Sequence, residues 1–141
     1  LANRGVNGID GMVSSALGAA AALGRPTVLW CGDLALLHDV SGLLSGRVHG
    51  GDLTIIVSND DGGGIFEYLP AARLVSRAVF EELFAVPHGL DLCELARGLG
   101  WEAARADSAA SFTQALARAL AGGRHVIEVT VDRAANTAFH A

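Results

Sequence analysis

Two short polar segments of this sequence carry the residue types that bind a metal ion beside a phosphate. Gly32-Asp33-Leu34 directly follows one apolar run, and Asn-Asp-Asp-Gly-Gly-Gly, residues 59–64, directly follows another. Glycine lets a chain turn sharply out of a strand and lets backbone amides approach a phosphate closely. We therefore interpret both segments as loops of a binding site.

The carboxylates of these loops suit a divalent cation. Asp33 and Asp60 each present one beyond an apolar run, and Gly62 can turn its carbonyl inward because glycine tolerates the required dihedral angles. Magnesium prefers octahedral oxygen ligands, usually one or two carboxylates together with substrate phosphates. The pattern predicts an ion held by Asp33, Asp60 and Gly62 and completed by a diphosphate and water. Taken singly, each loop is better explained by a helix cap at Asp33 or by an ordinary glycine turn.

Alternating strands and helices are expected to position the loops. Apolar, β-branched runs predict strands, and apolar residues at helical spacing predict helices, the first capped by Asp10. The predicted strands cover 27–31, 53–58 and 125–131, and the predicted helices cover about 11–23, 36–44, 90–99 and 108–120. This order predicts one α/β domain over residues 1–141, with a mostly parallel sheet covered by helices on both faces. Ligands of such sheets collect at the carboxyl ends of the strands, where both loops stand.

Composition excludes several classes of protein. The net charge of -5 and the lack of a basic cluster argue against a nucleic-acid partner. Although 51% of the residues are hydrophobic, no apolar run reaches the roughly 20 residues of a membrane-spanning helix. The absence of a signal peptide predicts a cytoplasmic protein. Cys31 and Cys93 form no metal or redox pair and are expected to be reduced, buried thiols.

The apolar bias also suggests that another domain or subunit covers part of the surface. The chain begins without Met and runs almost at once into a dense motif, so we expect a piece of a longer protein.

Together, the two loops resemble the Gly-Asp-Gly to Asn-Asn signature of thiamine diphosphate (ThDP)-dependent enzymes in order, spacing and strand context. The resemblance implies a three-layer diphosphate-binding domain that binds ThDP with Mg²⁺ or Mn²⁺. Asp33, Asp60 and the Gly62 carbonyl would hold the ion, and Gly32, Leu34 and Gly63 would complete the cofactor site. Leu34 replaces the common Gly of the signature. Asp60 replaces the common Asn, and its extra negative charge bears on the choice between the two metals.

Residues 3–11 and 63–69 resemble, more narrowly, the MenD family of menaquinone biosynthesis. By that resemblance Arg4 meets a substrate carboxylate, since its guanidinium is always charged. Ile9 wedges between the two rings of the cofactor, and Ile65, Phe66 and Leu69 line the substrate pocket. The alternative for Arg4 is an ordinary surface residue, and the alternative for Ile9 is a core residue. The three pocket residues could instead pack a short helix. Turn and capping roles are preferred for Asn7 and Asp10.

The implied activity is decarboxylation of 2-oxoglutarate followed by addition of the succinyl unit to isochorismate, in a homo-oligomer. The alternatives are another ThDP enzyme of the decarboxylase and acetohydroxyacid synthase type, or a free-standing cofactor-binding domain without catalysis. In this family the glutamate that protonates the cofactor's pyrimidine belongs to a separate pyrimidine-binding domain, usually of a neighbouring subunit. The chain alone is therefore expected to be inactive. The five histidines show no metal-ligand spacing, and none is assigned to catalysis.

Overall fold

The folded chain is built on a parallel sheet in the order β1-β2-β4-β3. The structure is a computed structural model that describes residues 2, 8–49 and 51–140. The strands are β1 (Thr27–Gly32), β2 (Leu53–Asn59), β3 (Glu102–Ala106) and β4 (Arg124–Thr130).

Helices connect the strands and lie on both faces of the sheet, so the predicted α/β class and layered architecture are confirmed. The α-helices are α1 (Met12–Leu23), α2 (Asp33–His38), α3 (Ser41–Ser45), α4 (Ala71–Leu74), α5 (Arg77–Phe80), α6 (Leu92–Gly98), α7 (Ala109–Ala119) and α8 (Arg133–His140). A 3-10 turn spans Gly64–Tyr68, and a π-helical segment spans Glu81–Ala85.

The main core lies on one face of the sheet, under α1, α2, α3 and α6. Leu53, Ile55, Val57 and Val126 point into it and are fully buried. Burial of each such side chain contributes about 1.5–3 kcal/mol. On the opposite face α7 covers β3 and β4, where Ile127 forms a second, smaller core. This packing fixes the strand ends, and therefore the loops that follow them.

Strand β3 and helix α8 were not predicted. The β3 sequence, Glu-Ala-Ala-Arg-Ala, lacks the β-branched and aromatic residues that favour strands. It forms because β4 offers a complete parallel partner, with Ala104 opposite Ile127. Pairing and packing therefore override the local preference.

The single helix predicted over 36–44 is wrong, because Asp39 separates α2 from α3. Its backbone leaves helical geometry with φ -121°. Its carboxylate accepts from the backbone N–H of Ser14 over 2.7 Å and from the Ser14 hydroxyl over 3.0 Å. Asp39, which is distant in sequence, thus accepts from a backbone N–H in the first turn of α1 that has no acceptor within the helix.

The prediction that Asp10 caps α1 is also wrong. Gly11 precedes α1 in the left-handed conformation, with φ 63°, and no side chain at that position makes the cap hydrogen bond. Asp10 lies in the turn before it, as also predicted, and its carboxylate pairs with His38 at 2.9 Å. The capping role belongs to Asp39.

We expect Asp39→Ala to lower the free energy of unfolding by about 1–2 kcal/mol, the usual cost of losing a helix cap. Asp10→Ala should cost less, because the Asp10 side chain is 63% exposed. Urea denaturation of both variants checks this expectation. Equal losses of unfolding free energy in the two variants would contradict the capping role of Asp39.

One part of the sheet is left uncovered by the described residues. Trp30, Ile56 and Ile127 lie in one row across β1, β2 and β4, and α7 buries only the last of them. Trp30 is 74% exposed and its neighbour Val28 is 46% exposed. Such an apolar strip has the character expected of surface that another domain or subunit covers.

The cysteines are free and buried, as predicted. Burial raises the pKa of the Cys31 thiol and that of the Cys93 thiol to about 12. Among the described residues, none of the helices combines the length and apolarity needed to cross a bilayer.

Candidate functional site

The two loops expected to form the site meet in the structure. Strand β1 pairs with β2 so that Gly32 lies opposite Ser58, which places both loops at the same edge of the sheet. The backbone N–H of Gly62 donates to Oδ2 of Asp33 over 2.7 Å. This hydrogen bond joins the loops directly, so neither is an isolated helix cap or turn.

Asp33 is buried rather than presented openly beyond its strand, with 2% of the residue exposed. Its Oδ1 accepts from the N–H of Leu34 over 2.7 Å, and its Oδ2 lies 3.1 Å from Nε2 of His88. Three donors, including Gly62, therefore hold this carboxylate in one orientation. A carboxylate has about four acceptor sites, so capacity remains for a cation.

His88 was not assigned a role by sequence reasoning, yet it contacts the central carboxylate. Its Nδ1 accepts from the N–H of Leu90 over 3.0 Å. The ring proton therefore belongs on Nε2, which donates to Asp33. His88 and Gly62 thus fix the same oxygen of the Asp33 carboxylate.

Asp60 carries the second carboxylate of the site. Its pKa is raised, first by burial and then by the negative charge of Asp33, while Arg133 acts in the opposite direction. A buried and a partly buried carboxylate that repel each other are stabilised by a cation bound between them. The donor set therefore fits a divalent ion.

The glycines at 62 and 63 are required by close contacts with the backbone of another segment. A Cβ on Gly62 would lie 2.1 Å from the carbonyl oxygen of Ala85, and one on Gly63 would lie 2.5 Å from that of Phe84. Gly62 also has φ 127°, where side chains are strained. The N–H of Gly63 donates to Ala85 over 2.7 Å. The π-helical segment therefore packs directly onto the loop formed by residues 60–64, here called the glycine loop.

Arg133 holds the glycine loop from α8. Its guanidinium donates to the carbonyl of Asp61 over 2.7 Å and to that of Asp60 over 3.2 Å. It also pairs with Glu81 of the π-helical segment at 3.1 Å. Asp61 is held in the left-handed region, with φ 59°, and its carboxylate accepts from the N–H groups of His88 and Gly89. The loop is thus fixed on several sides.

The physical reason predicted for Gly32 is only partly supported. Its φ of -80° and ψ of 168° are ordinary, so no sharp turn requires glycine there. A Cβ would meet nothing closer than the Ser58 carbonyl at 4.0 Å. The remaining reason for glycine at this position is that it lets a ligand approach the backbone closely.

The predicted pocket residues differ in their surroundings. Phe66 packs edge-on against Phe84, with ring centroids 6.3 Å apart, so it contributes to local packing. Ile65 is 71% exposed and Leu69 is 46% exposed, which argues against simple core packing for these two. Ile9 is 37% exposed in the turn before α1. Arg4 and Asn7 lie outside the described residues.

A cleft of about 700 Å³ opens beside the glycine loop, between the π-helical segment and α8. Asp60 and Asp61 line it together with Glu67, Glu81 and Asp132, so it is acidic despite Arg77 and Arg133. Neither Gly32 nor Asp33 lines it. Of the three predicted metal ligands, only Asp60 lines this cleft, whereas Asp33 and Gly62 do not.

One signal would have identified Arg133 in advance. It follows the end of β4, and that end lies at the same sheet edge as the ends of β1 and β2. The strand-end rule used for the two loops therefore applies to it as well. No comparable pattern marks His88, which comes from an irregular segment.

Comparison with protein families gives a match over most of the chain. The model described as "Thiamine pyrophosphate enzyme, C-terminal TPP binding domain" matches residues 3–129. Thiamine pyrophosphate (TPP) and thiamine diphosphate are two names for the same compound.

Several relatives carry the name 2-succinyl-5-enolpyruvyl-6-hydroxy-3-cyclohexene-1-carboxylate synthase, abbreviated SEPHCHC synthase. The chain is 50% identical to that of Myxococcus xanthus over 99% of this chain and 24% of the relative. It is 47% identical to that of Chloroflexus aurantiacus over 98% of this chain and 23% of the relative. The chain thus spans about a quarter of the length of these curated relatives.

A solved structure supports the fold independently. The ThDP-dependent 4-hydroxybenzoylformate decarboxylase of Rhodococcus jostii RHA1 superposes with a TM-score of 0.69 at 24% identity. The superposition covers 84% of this chain and 22% of that one. At this identity the likeness concerns the fold alone.

Proposed function

The chain belongs to the thiamine pyrophosphate enzyme family as a C-terminal TPP-binding domain, and on that basis we propose that it holds the cofactor's diphosphate through a divalent ion. The side chains of Asp33 and Asp60 and the backbone carbonyl of Gly62 are the proposed protein ligands of Mg²⁺ or Mn²⁺. The observation that carries this proposal is the direct hydrogen bond between Gly62 and Asp33, which brings the two loops together.

The remaining residues of the two loops shape the cofactor site. Gly32 and Gly63 leave room for the diphosphate, and Leu34, the residue after Asp33, borders it. Ile9 keeps the two rings of the cofactor in a bent arrangement. When bound, ThDP supplies the electron sink for decarboxylation and for carbon–carbon bond formation. The protein residues bind the cofactor, orient it and exclude water.

We propose further that the chain serves a SEPHCHC synthase acting on 2-oxoglutarate and isochorismate. Support comes from the relatives of that name and from the MenD-like segments around Arg4 and Ile65. Arg4 would bind a substrate carboxylate bidentately, while Ile65, Phe66 and Leu69 would line the pocket. A pyrimidine-binding domain, from a second subunit, would complete the site and cover apolar surface. A cytoplasmic location remains a prediction.

Product analysis of the complete protein tests the substrate assignment. With ThDP, Mg²⁺, 2-oxoglutarate and isochorismate, we expect a product whose mass equals the two substrates less carbon dioxide. Pyruvate offered in place of 2-oxoglutarate is the matched control and should give little turnover. A preference for pyruvate, or carbon dioxide release without addition to isochorismate, would favour another ThDP-dependent activity.

A further inference from the structure

A buried carboxylate lies behind the glycine loop, in a position that the proposed function does not use. Glu128 of β4 is 2% exposed and points into the main core face, in the same row as Val57. Its Oε1 accepts from Nδ2 of Asn59 over 2.7 Å. Its Oε2 accepts from Nε and Nη2 of Arg105, both at 3.1 Å, and from the Cys93 thiol at 3.3 Å.

The charge of Glu128 decides which way the Asn59 amide faces. An ionised carboxylate only accepts hydrogen bonds, so the NH₂ group of Asn59 must point toward it. The amide oxygen then points the other way, where it accepts from the backbone N–H of Asp61 over 3.0 Å. Asn59 is 9% exposed, so water offers little competition for either contact.

The Asp61 N–H connects the hydrogen bonds of Glu128 and Asn59 to the proposed metal site. Asp61 lies between Asp60 and Gly62, and its own backbone is in the strained left-handed region. The hydrogen bond that the Asp61 N–H donates to Asn59 therefore helps to hold a conformation that the chain would not adopt readily alone. Asp60 and Gly62 flank Asp61 in the chain, so a change in the Asp61 backbone would alter the direction of both.

We propose that Glu128 is a positioning residue for the metal site: by fixing the Asn59 amide, it sets the glycine loop in its ion-binding conformation. This inference rests on the proposed binding of a divalent ion by Asp33 and Asp60. It assigns no contact between Glu128 and the ion itself.

A separate metal site at Glu128 is a weaker interpretation of the same cluster. Asp91, Cys93 and Glu128 offer ligand atoms within 4.8 Å of one another. However, the Arg105 guanidinium already pairs with Asp91 and with Glu128, each at 3.1 Å. A second cation at that point would be repelled by the first.

Glu128→Gln tests the proposal because it keeps the shape of the side chain and changes one hydrogen-bonding atom. The three donors from Arg105 and Cys93 should attract the carbonyl of the introduced amide, which turns its NH₂ group toward Asn59. Two NH₂ groups cannot pair, so the Asn59 amide should flip and lose the Asp61 N–H. Adding Asn59→Asp restores the pattern, because one oxygen of the new carboxylate accepts from the introduced NH₂ group and the other accepts from Asp61.

Binding of Mn²⁺ to the complete protein with ThDP, followed by electron paramagnetic resonance, is the main measurement. Glu128→Gln should weaken Mn²⁺ affinity by about tenfold to hundredfold, as is typical when a partner of a metal-site residue is lost. The double variant Glu128→Gln/Asn59→Asp should recover to within about threefold of wild type. Amide hydrogen exchange at Asp61 in the metal-free protein should rise in the single variant and fall again in the double variant.

Two controls separate positioning from general destabilisation and from failure of the metal site. Cys93→Ala removes a donor to Oε2 but leaves the contact with Asn59, so stability should fall while Mn²⁺ affinity stays unchanged. Asp33→Ala should abolish Mn²⁺ binding. If it does not, the proposed metal site and this inference are both wrong.

If Asp33→Ala abolishes binding while Glu128→Gln binds Mn²⁺ like wild type, only the positioning role is overturned. The same conclusion follows if the double variant shows no recovery. Where Glu128→Gln does not fold, the double variant decides. Affinity near wild type supports the proposal, and a persistent loss overturns it.

Discussion

Asp33→Ala is expected to abolish binding of ThDP and Mg²⁺ to the complete protein, with a loss of affinity greater than about hundredfold. The substitution removes a proposed ligand of the ion, while the diphosphate keeps its negative charge. It also leaves the N–H of Gly62 without the acceptor that joins the two loops. Both effects act on the same junction, so the loss should be severe.

Calorimetric titration with ThDP and Mg²⁺ measures this loss, and Asp60→Asn is the matched control. Asparagine keeps an oxygen ligand and removes the carboxylate whose pKa is raised by burial and by Asp33. Asp60→Asn should therefore retain binding. Normal affinity in Asp33→Ala would refute the metal assignment, and complete loss in Asp60→Asn would show that the second ligand is misplaced.

Gly64→Ala is expected to weaken Mg²⁺ binding by roughly tenfold to hundredfold, with a smaller effect on folding. An added Cβ would lie 1.8 Å from Oδ2 of Asp60 and 2.7 Å from its Cγ. The Asp60 side chain can rotate away at modest cost, but it then leaves the direction proposed for the ion. Affinity should therefore fall more than stability.

Gly98→Ala is the control for this substitution, since a Cβ there would meet nothing within 4 Å. It should leave metal affinity unchanged. Titration and urea denaturation of the two variants provide both readouts. Wild-type Mg²⁺ affinity in Gly64→Ala would mean that Asp60 does not hold the ion in this orientation.

The site is held mainly by contacts between segments that are distant in sequence. His88 fixes Asp33, Arg133 holds the glycine loop from α8, and Glu128 acts on it through Asn59. His88 comes from the irregular segment before α6, Arg133 from α8 and Glu128 from β4. A change far from the loops can therefore alter the proposed ligands without touching them.

Local sequence patterns predicted β1, β2 and β4, the helices α1, α6 and α7, and the position of the two loops. The apolar runs before Gly32 and Asn59 predicted β1 and β2. The burial expected of such parallel strands holds for β2, whereas β1 leaves Val28 and Trp30 exposed among the described residues. The periodic segments predicted α1, α6 and α7 to within two residues. Parallel pairing then required both loops to lie at one edge, which is a consequence of geometry rather than of any particular contact.

Only the tertiary structure decided the features that depend on a partner from elsewhere in the chain. Strand β3 forms because β4 pairs with it, and α1 is capped by Asp39 rather than by its neighbour Asp10. The need for glycine at 62 comes from the backbone of Ala85, which no local pattern reveals. Local preferences act within a few residues, whereas burial and hydrogen bonding are satisfied by whichever groups the packed fold brings within reach.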